Sequence, residues 1–116
     1  MSEIEKRPWG EYEILLDTEY YKVKRITVNP KQRLSYQYHD KRDESWTVVV
    51  GQANVTLDGE VNILRPGQNI TIKRGQKHRV ENNQDDHDLV FIEVQTGDYF
   101  GEDDIVRLSD DYGREE

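Results

Sequence analysis

At 116 residues the chain is long enough for one domain with a real core and too short for two ordinary ones. Asp and Glu number 24 against 16 Lys and Arg, and the formal charge of −8 argues against nucleic acid as a partner, because phosphate-backbone binding needs a basic face. The absence of cysteine excludes disulfides, thiolate catalysis and Cys-ligated zinc, and fits a reducing compartment.

No apolar stretch is long enough for a membrane span, and the amino end, MSEIEKRPWG, is charged where a secretory signal would be hydrophobic. The expectation is a cytoplasmic protein with no membrane partner. Residues Met1 to Lys6 read as a polar lead-in, and Arg7-Pro8-Trp9-Gly10 as a turn whose tryptophan packs over one end of the core. Strands follow over 11–16 and 20–28, the second with its alternation blurred by Lys22, Lys24 and Arg25, so that its phase stays open.

After Asn29-Pro30, Gln37 and His39 stand two apart in an extended run and share one face of a strand, with Ser35 beside them. Asp40-Lys41-Arg42-Asp43 reads as a hairpin turn that returns Glu44 opposite His39, in a strand whose core face carries Glu44, Trp46, Val48 and Val50. Strands over 52–57 and 61–64 flank Asp58-Gly59, the strongest hairpin signal in the chain. Further strands fall at 69–73, 78–82 and 89–95, residues 101–107 form a short strand or capped turn, and the end from Ser109 is polar. Eight or nine short strands with no convincing helix before residue 100 predict an all-β closed double sheet, one domain over 1–116 with the barrel at about 9–100.

An imidazole nitrogen, a carboxylate oxygen and an amide oxygen from His39, Glu44 and Gln37 suit a divalent ion if a fourth ligand joins them, and His78, opening a later strand, is the candidate. The alternative is a polar patch at a barrel mouth, but a buried Glu and two buried His without a cation are costly. His87, within Asp85-Asp86-His87-Asp88, reads as a solvated loop residue.

At this point the chain resembles the cupin superfamily. The first cupin motif is met by His39, Glu44 and Gly51, with Lys31 standing for its first Gly and Gln37 for its first His; the second is met by Gly67, Gly75, His78 and Asn82, with Lys73 in place of Pro. The strings RPWGEYEIL, VKRITV, LSYQYH, ESWTVV, HRVEN, IEVQTGDYFGEDDIVR and DDYGR further resemble the type II mannose-6-phosphate isomerase cupin, found alone or at the carboxyl end of bifunctional mannose-1-phosphate guanylyltransferases. The resemblance implies a cupin-type double-stranded β-helix, or jelly roll, here expected as the isomerase part standing alone. It implies metal-dependent interconversion of mannose 6-phosphate and fructose 6-phosphate through an enediolate. The ion would be zinc in the first place, with Mn, Fe, Co or Ni as alternatives.

Bifunctional members often carry a further His where this chain has Lys41, but pairing Gln37 with His39 keeps the motif spacing and matches the Gln-containing ligand set of type I phosphomannose isomerases. Candidate proton carriers are Lys41 and Glu93, the latter sharing a strand face with Gln95 that is either a pocket wall or solvent-facing. Candidate substrate contacts are Arg42, which with Lys41 is otherwise a solvated turn residue, together with Arg79, Gln95 and Arg107. Alternation turns Arg79 away from the ion that His78 would hold, unless a bulge intervenes. Pairing through edge strands or the amino-terminal segment predicts a homodimer. Other readings are a cupin dioxygenase, a non-catalytic sugar-phosphate-binding module, and an isomerase or epimerase acting on another sugar.

Overall fold

The computed structural model describes residues 3–114, which contain eleven strands and no helix. In chain order these are β1 (Glu3–Arg7), β2 (Gly10–Asp17), β3 (Tyr21–Val28), β4 (Tyr36–Tyr38), β5 (Arg42–Val50), β6 (Ala53–Leu57), β7 (Glu60–Leu64), β8 (Asn69–Ile72), β9 (His78–Glu81), β10 (Leu89–Gly97) and β11 (Val106–Ser109). One sheet runs β1-β2-β3-β10-β5-β8 and the other β11-β4-β9-β6-β7, every pair antiparallel. This is the expected double-stranded β-helix. The turn at Asp58-Gly59 has both residues at positive φ, 47° and 86°, the backbone that a two-residue hairpin requires.

Period-two alternation places one face of each long strand inside the barrel. On β3 the inward residues are Lys22, Lys24, Ile26 and Val28, on β5 Arg42, Glu44, Trp46 and Val48, and on β10 Leu89, Phe91, Glu93 and Gln95. The register aligns like with like: Phe91 opposes Ile26 and Val48, Glu93 opposes Lys24 and Trp46, and Gln95 opposes Lys22 and Glu44. One end of the barrel is therefore apolar, closed by Val55 and Val80 from the second sheet, while the other is lined by charge.

Gly51 keeps its motif place for a backbone reason: φ is +82°, and a Cβ there would stand 2.6 Å from the Asp88 carbonyl oxygen. Lys31, where the motif has glycine, adopts φ 61° regardless, a conformation that costs a non-glycine residue about 1–2 kcal/mol.

Three expectations are corrected. The lead-in is an edge strand: β1 pairs with β2 from Glu3↔Ile14 to Arg7↔Gly10, and its exposed position tolerates charge on both faces; Met1 and Ser2 lie outside the described residues. The Asp40–Asp43 segment is no hairpin turn, because β5 begins at Arg42 and pairs with β10 and β8, whereas β4 pairs with β11 and β9. The chain crosses from one sheet to the other there, so His39 and Glu44 meet across the interior. Val50 leaves the core face because the register slips between Val90 and Phe91, and it ends about half exposed.

Candidate metal centre

His39 directly follows β4, His78 opens β9 and Glu44 projects from β5 of the opposite sheet, and all three side chains are buried. Their ligand-type atoms lie within 4.8 Å of one another. The two imidazoles stack with centroids 5.2 Å apart, and the edge of Trp46 abuts His78. Gln37 pairs with His78 in register and, like Glu44, lines the neighbouring cavity, its amide oxygen accepting from the Ser35 hydroxyl.

His78 shows how the cluster suits a cation. Its Nδ1 lies 2.9 Å from the Gln76 carbonyl, which only accepts, so Nδ1 carries the proton and Nε2 presents a lone pair. That Nε2 is buried without a hydrogen-bond partner. A backbone carbonyl that fixes the tautomer of a free imidazole nitrogen is the usual outer support of a metal-bound histidine. Burial pushes the His78 pKa down, and burial with the nearby Arg42 lowers that of His39 to about 3, so both rings are neutral at neutral pH. Two neutral imidazoles, a carboxylate and an amide oxygen fit a divalent ion.

A second layer surrounds these groups. Arg42 donates from Nε to Glu44 Oε2 at 2.8 Å and from Nη2 to His39 Nε2 at 2.9 Å. Trp46 Nε1 is shared between Glu44 Oε1 and Glu93 Oε1, both at 3.0 Å, and Gln95 donates to Glu93 Oε2. Burial, reinforced by the Glu44 charge, raises the Glu93 pKa to about 7. Burial alone would lower the Arg42 pKa, but Glu44, Glu93 and Glu102 outweigh it and raise it.

Arg42, Glu44, Trp46 and Glu93 border a small cavity of about 60 Å³ that opens to solvent, and neither His39 nor His78 forms part of its wall. Five cations line it, Arg7, Lys24, Arg42, Arg107 and Arg114, against three carboxylates, Glu44, Glu93 and Glu102. In a chain of net charge −8 this is a local reversal of sign. Lys24 donates to Glu102 at 2.6 Å and lies over the Tyr12 ring; burial would raise the Glu102 pKa, but Lys24 and Arg42 hold it below the usual value. Arg107 opposes Gln37 in register, so Arg107, Gln37 and His78 form one row across the second sheet. Arg114 is clamped by the buried Asp110 carboxylate at 2.8 and 3.1 Å.

Of the residues expected from sequence, Gln37, His39, Glu44, His78, Arg42, Glu93 and Arg107 converge at this site. Lys41 does not. It is exposed, with its ammonium over the Tyr99 ring at 5.2 Å, because alternation on β5 turns Arg42 inward and leaves Lys41 outside. Arg79 points away from His78, as alternation requires, and donates to the Leu34 and Ser109 carbonyls. Gln95 is buried behind Glu93 and holds its carboxylate without lining the cavity.

Sequence reasoning missed Lys24, Glu102, Arg7 and Arg114. For Lys24 a signal existed: Lys22, Lys24, Ile26 and Val28 alternate in phase, as Leu89, Phe91, Glu93 and Gln95 do, and two strands with matching apolar and polar halves are natural neighbours. The other three come from the terminal segments and a loop, whose approach to the barrel no local pattern announces.

Residues 2–110 match the family described as Mannose-6-phosphate isomerase C-terminal. Among curated relatives, a mannose-1-phosphate guanylyltransferase of Salmonella montevideo is 49% identical over 108 residues, and one of Escherichia coli K12 is 46% identical over the same length. Each alignment covers 93% of this chain but only 23% and 22% of the relative, so the chain spans less than a quarter of their length. Among solved structures, an RmlC-like cupin from Shewanella frigidimarina superposes with a TM-score of 0.75 at 18% identity, covering 88% of this chain and 87% of that one. Oxalate decarboxylase from Bacillus subtilis gives a TM-score of 0.80 at 16% identity, over 92% of this chain and 30% of that one. Those two likenesses establish the shared barrel, while the sequence match extends nearly end to end: the chain belongs to the Mannose-6-phosphate isomerase C-terminal family, built on the cupin fold.

Proposed function

We propose that this chain is a metal-dependent aldose–ketose isomerase that interconverts mannose 6-phosphate and fructose 6-phosphate. The observation that carries the reading is the pairing of a buried His39–Glu44–His78 cluster with Glu93, a buried carboxylate beside it that Trp46 and Gln95 hold in place and that burial keeps easily protonated in the metal-free protein. His39, Glu44 and His78, with Gln37, would hold the ion, zinc in the first place, which when bound supplies Lewis-acid polarisation of the sugar carbonyl.

Glu93 takes the proton from C2 of the open-chain aldose and returns it at C1, while the proton of the C2 hydroxyl passes to the C1 oxygen. Trp46 and Gln95 each donate to one of its oxygens and so fix the carboxylate in the cavity wall. The sugar phosphate is held at the cationic mouth by Arg107, aided by Arg7 and Arg114, since a guanidinium fork matches phosphate oxygens in pairs. Two strand spacings, about 10 Å, separate Arg107 from His78 along their row, with Gln37 between them. Trp9, Ile26 and Phe91 supply the apolar wall that keeps bulk water from the proton in transit.

The test is a coupled assay of fructose 6-phosphate formation from mannose 6-phosphate before chelation, after it, and after metal add-back. Turnover that is lost and then restored is the expected result. No turnover with any added divalent ion would sink the isomerase reading, and saturable sugar-phosphate binding without turnover would replace it with a binding module.

A further inference from the structure

The Arg42 guanidinium stands among the atoms that an ion would need. Arginine has no acceptor, so its 2.9 Å contact with His39 Nε2 occupies that nitrogen's lone pair and leaves the ring proton on Nδ1. His39 therefore has no nitrogen to offer while this contact holds. Ligation through Nε2 would displace Arg42 directly. Ligation through Nδ1 would move the proton to Nε2 and set an N–H against the guanidinium donors. Glu44 is engaged as well, Oε2 by Arg42 Nε at 2.8 Å and Oε1 by Trp46. A divalent cation and a guanidinium sharing these partners also repel each other in a buried site where charges are weakly screened.

The backbone keeps Arg42 at this place. Alternation from Glu44 and Trp46 on β5 sets its side chain inward, and its register partner on β10 is Gly97, where a Cβ would stand 2.8 Å from the Arg42 Cα. The side chain has one open side. Nη1 is buried without a hydrogen-bond partner, 3.8 Å from the half-exposed Glu102 carboxylate across the cavity.

We propose that Arg42 is a built-in competitor for the metal ligands: it holds Glu44 and His39 in place of an ion, and a divalent ion binds by turning its guanidinium out toward Glu102 and the cavity. The inference rests on the metal reading above and deepens it. It gives Arg42 two partners in turn, the ligands and then the anionic face of the cavity, and makes metal affinity a property that this side chain sets.

Zinc, and separately manganese, titrated calorimetrically into chelator-stripped wild-type protein and Arg42→Met tests this. Displacing two charge-assisted hydrogen bonds weakens binding in the wild type, so the variant is expected to bind zinc roughly tenfold tighter or more. Equal or weaker binding by the variant would mean that Arg42 orients the ligands, and would overturn this inference alone. No metal binding by either protein would overturn the metal reading and this inference together. Should Arg42→Met fail to fold, the wild-type protein carries the test: the Arg42 Nε–H resonance, assigned through Arg42→Lys, is expected to shift and exchange faster with water on adding one equivalent of zinc. An unchanged resonance with zinc bound contradicts the proposal.

Discussion

The two halves of β3, β5 and β10 make opposite use of the same strand geometry. Toward one end Val28, Val48, Leu89 and Phe91 face inward, each at most 1% exposed, and their burial stabilises by roughly 1.5–3 kcal/mol apiece. Toward the other, Lys24, Arg42, Glu44 and Glu93 take equivalent positions on the same strands at 3–5% exposure. There burial costs several kcal/mol for each unpaired charge, and the pairs Arg42–Glu44 and Lys24–Glu102 offset that cost without turning it into a clear gain. The apolar half specifies and holds the barrel, and the charged half is a liability to stability that the pairings contain. Trp46 marks the border, its ring 4.8 Å from Phe91 and its Nε1 shared by Glu44 and Glu93.

The division is broken most sharply by Glu93→Gln. In the charged half this near-isosteric change is expected to lower turnover by about 10²–10⁴, the usual worth of a positioned proton carrier, while a chemical denaturation midpoint stays at or above the wild-type value. Retained turnover would place the proton carrier elsewhere. In the apolar half, Phe91→Ala is expected to cost about 3–5 kcal/mol in equilibrium unfolding while the metal-binding stoichiometry of the folded protein stays intact.

Acidity sharpens the comparison. In metal-free protein Glu93 has a folded-state pKa of about 7, above its ordinary 4.5, so the stability tied to its neutral form is present below about 4.5 and lost as pH rises through about 7. His39 acts in the opposite sense: with its pKa lowered from 6.5 to about 3, the stability tied to its neutral form is present above 6.5 and lost as pH falls toward 3. Wild-type stability measured against Glu93→Gln isolates the first effect. The difference is expected to move against the wild type by on the order of 3 kcal/mol between pH 4.5 and pH 8, and a constant difference would remove the buried, proton-holding carboxylate from the account.

The smallest expected effect lies outside the barrel. Lys41→Met is expected to leave turnover within about twofold of wild type, because the ammonium stands over Tyr99 on the outer surface and outside the cavity. A loss approaching that of Glu93→Gln would show that the loop carrying Tyr99 rearranges to bring Lys41 to the substrate.

What could be read from the sequence divides along the same line. Asp58-Gly59 encodes its own hairpin, and Gln37, His39, Glu44 and His78 are legible from their side-chain chemistry, the fold then bringing His39, Glu44 and His78 together. From sequence Arg42 reads as a turn residue because Asp40 to Asp43 are four polar residues that fit a hairpin, whereas the chain uses them to cross between sheets, which only long-range pairing reveals. From sequence Lys24 reads as a flaw in the alternation of its strand, and only the pairing with β10, which sets Glu93 beside it, gives it a place. The cations of the mouth, Arg7 and Arg114, come from the two ends of the chain and meet the cavity through tertiary contacts with no sequence period.

On this reading the charged half of the barrel is built around one cation. That is tested most directly by the metal content of wild-type protein and His78→Ala, each exposed to zinc, freed of excess by gel filtration and measured by elemental mass spectrometry. His78 Nε2 is the buried nitrogen that the structure leaves with a free lone pair. About one zinc per wild-type chain and close to none in folded His78→Ala is expected. Equal metal in both proteins, or none in the wild type, would contradict it.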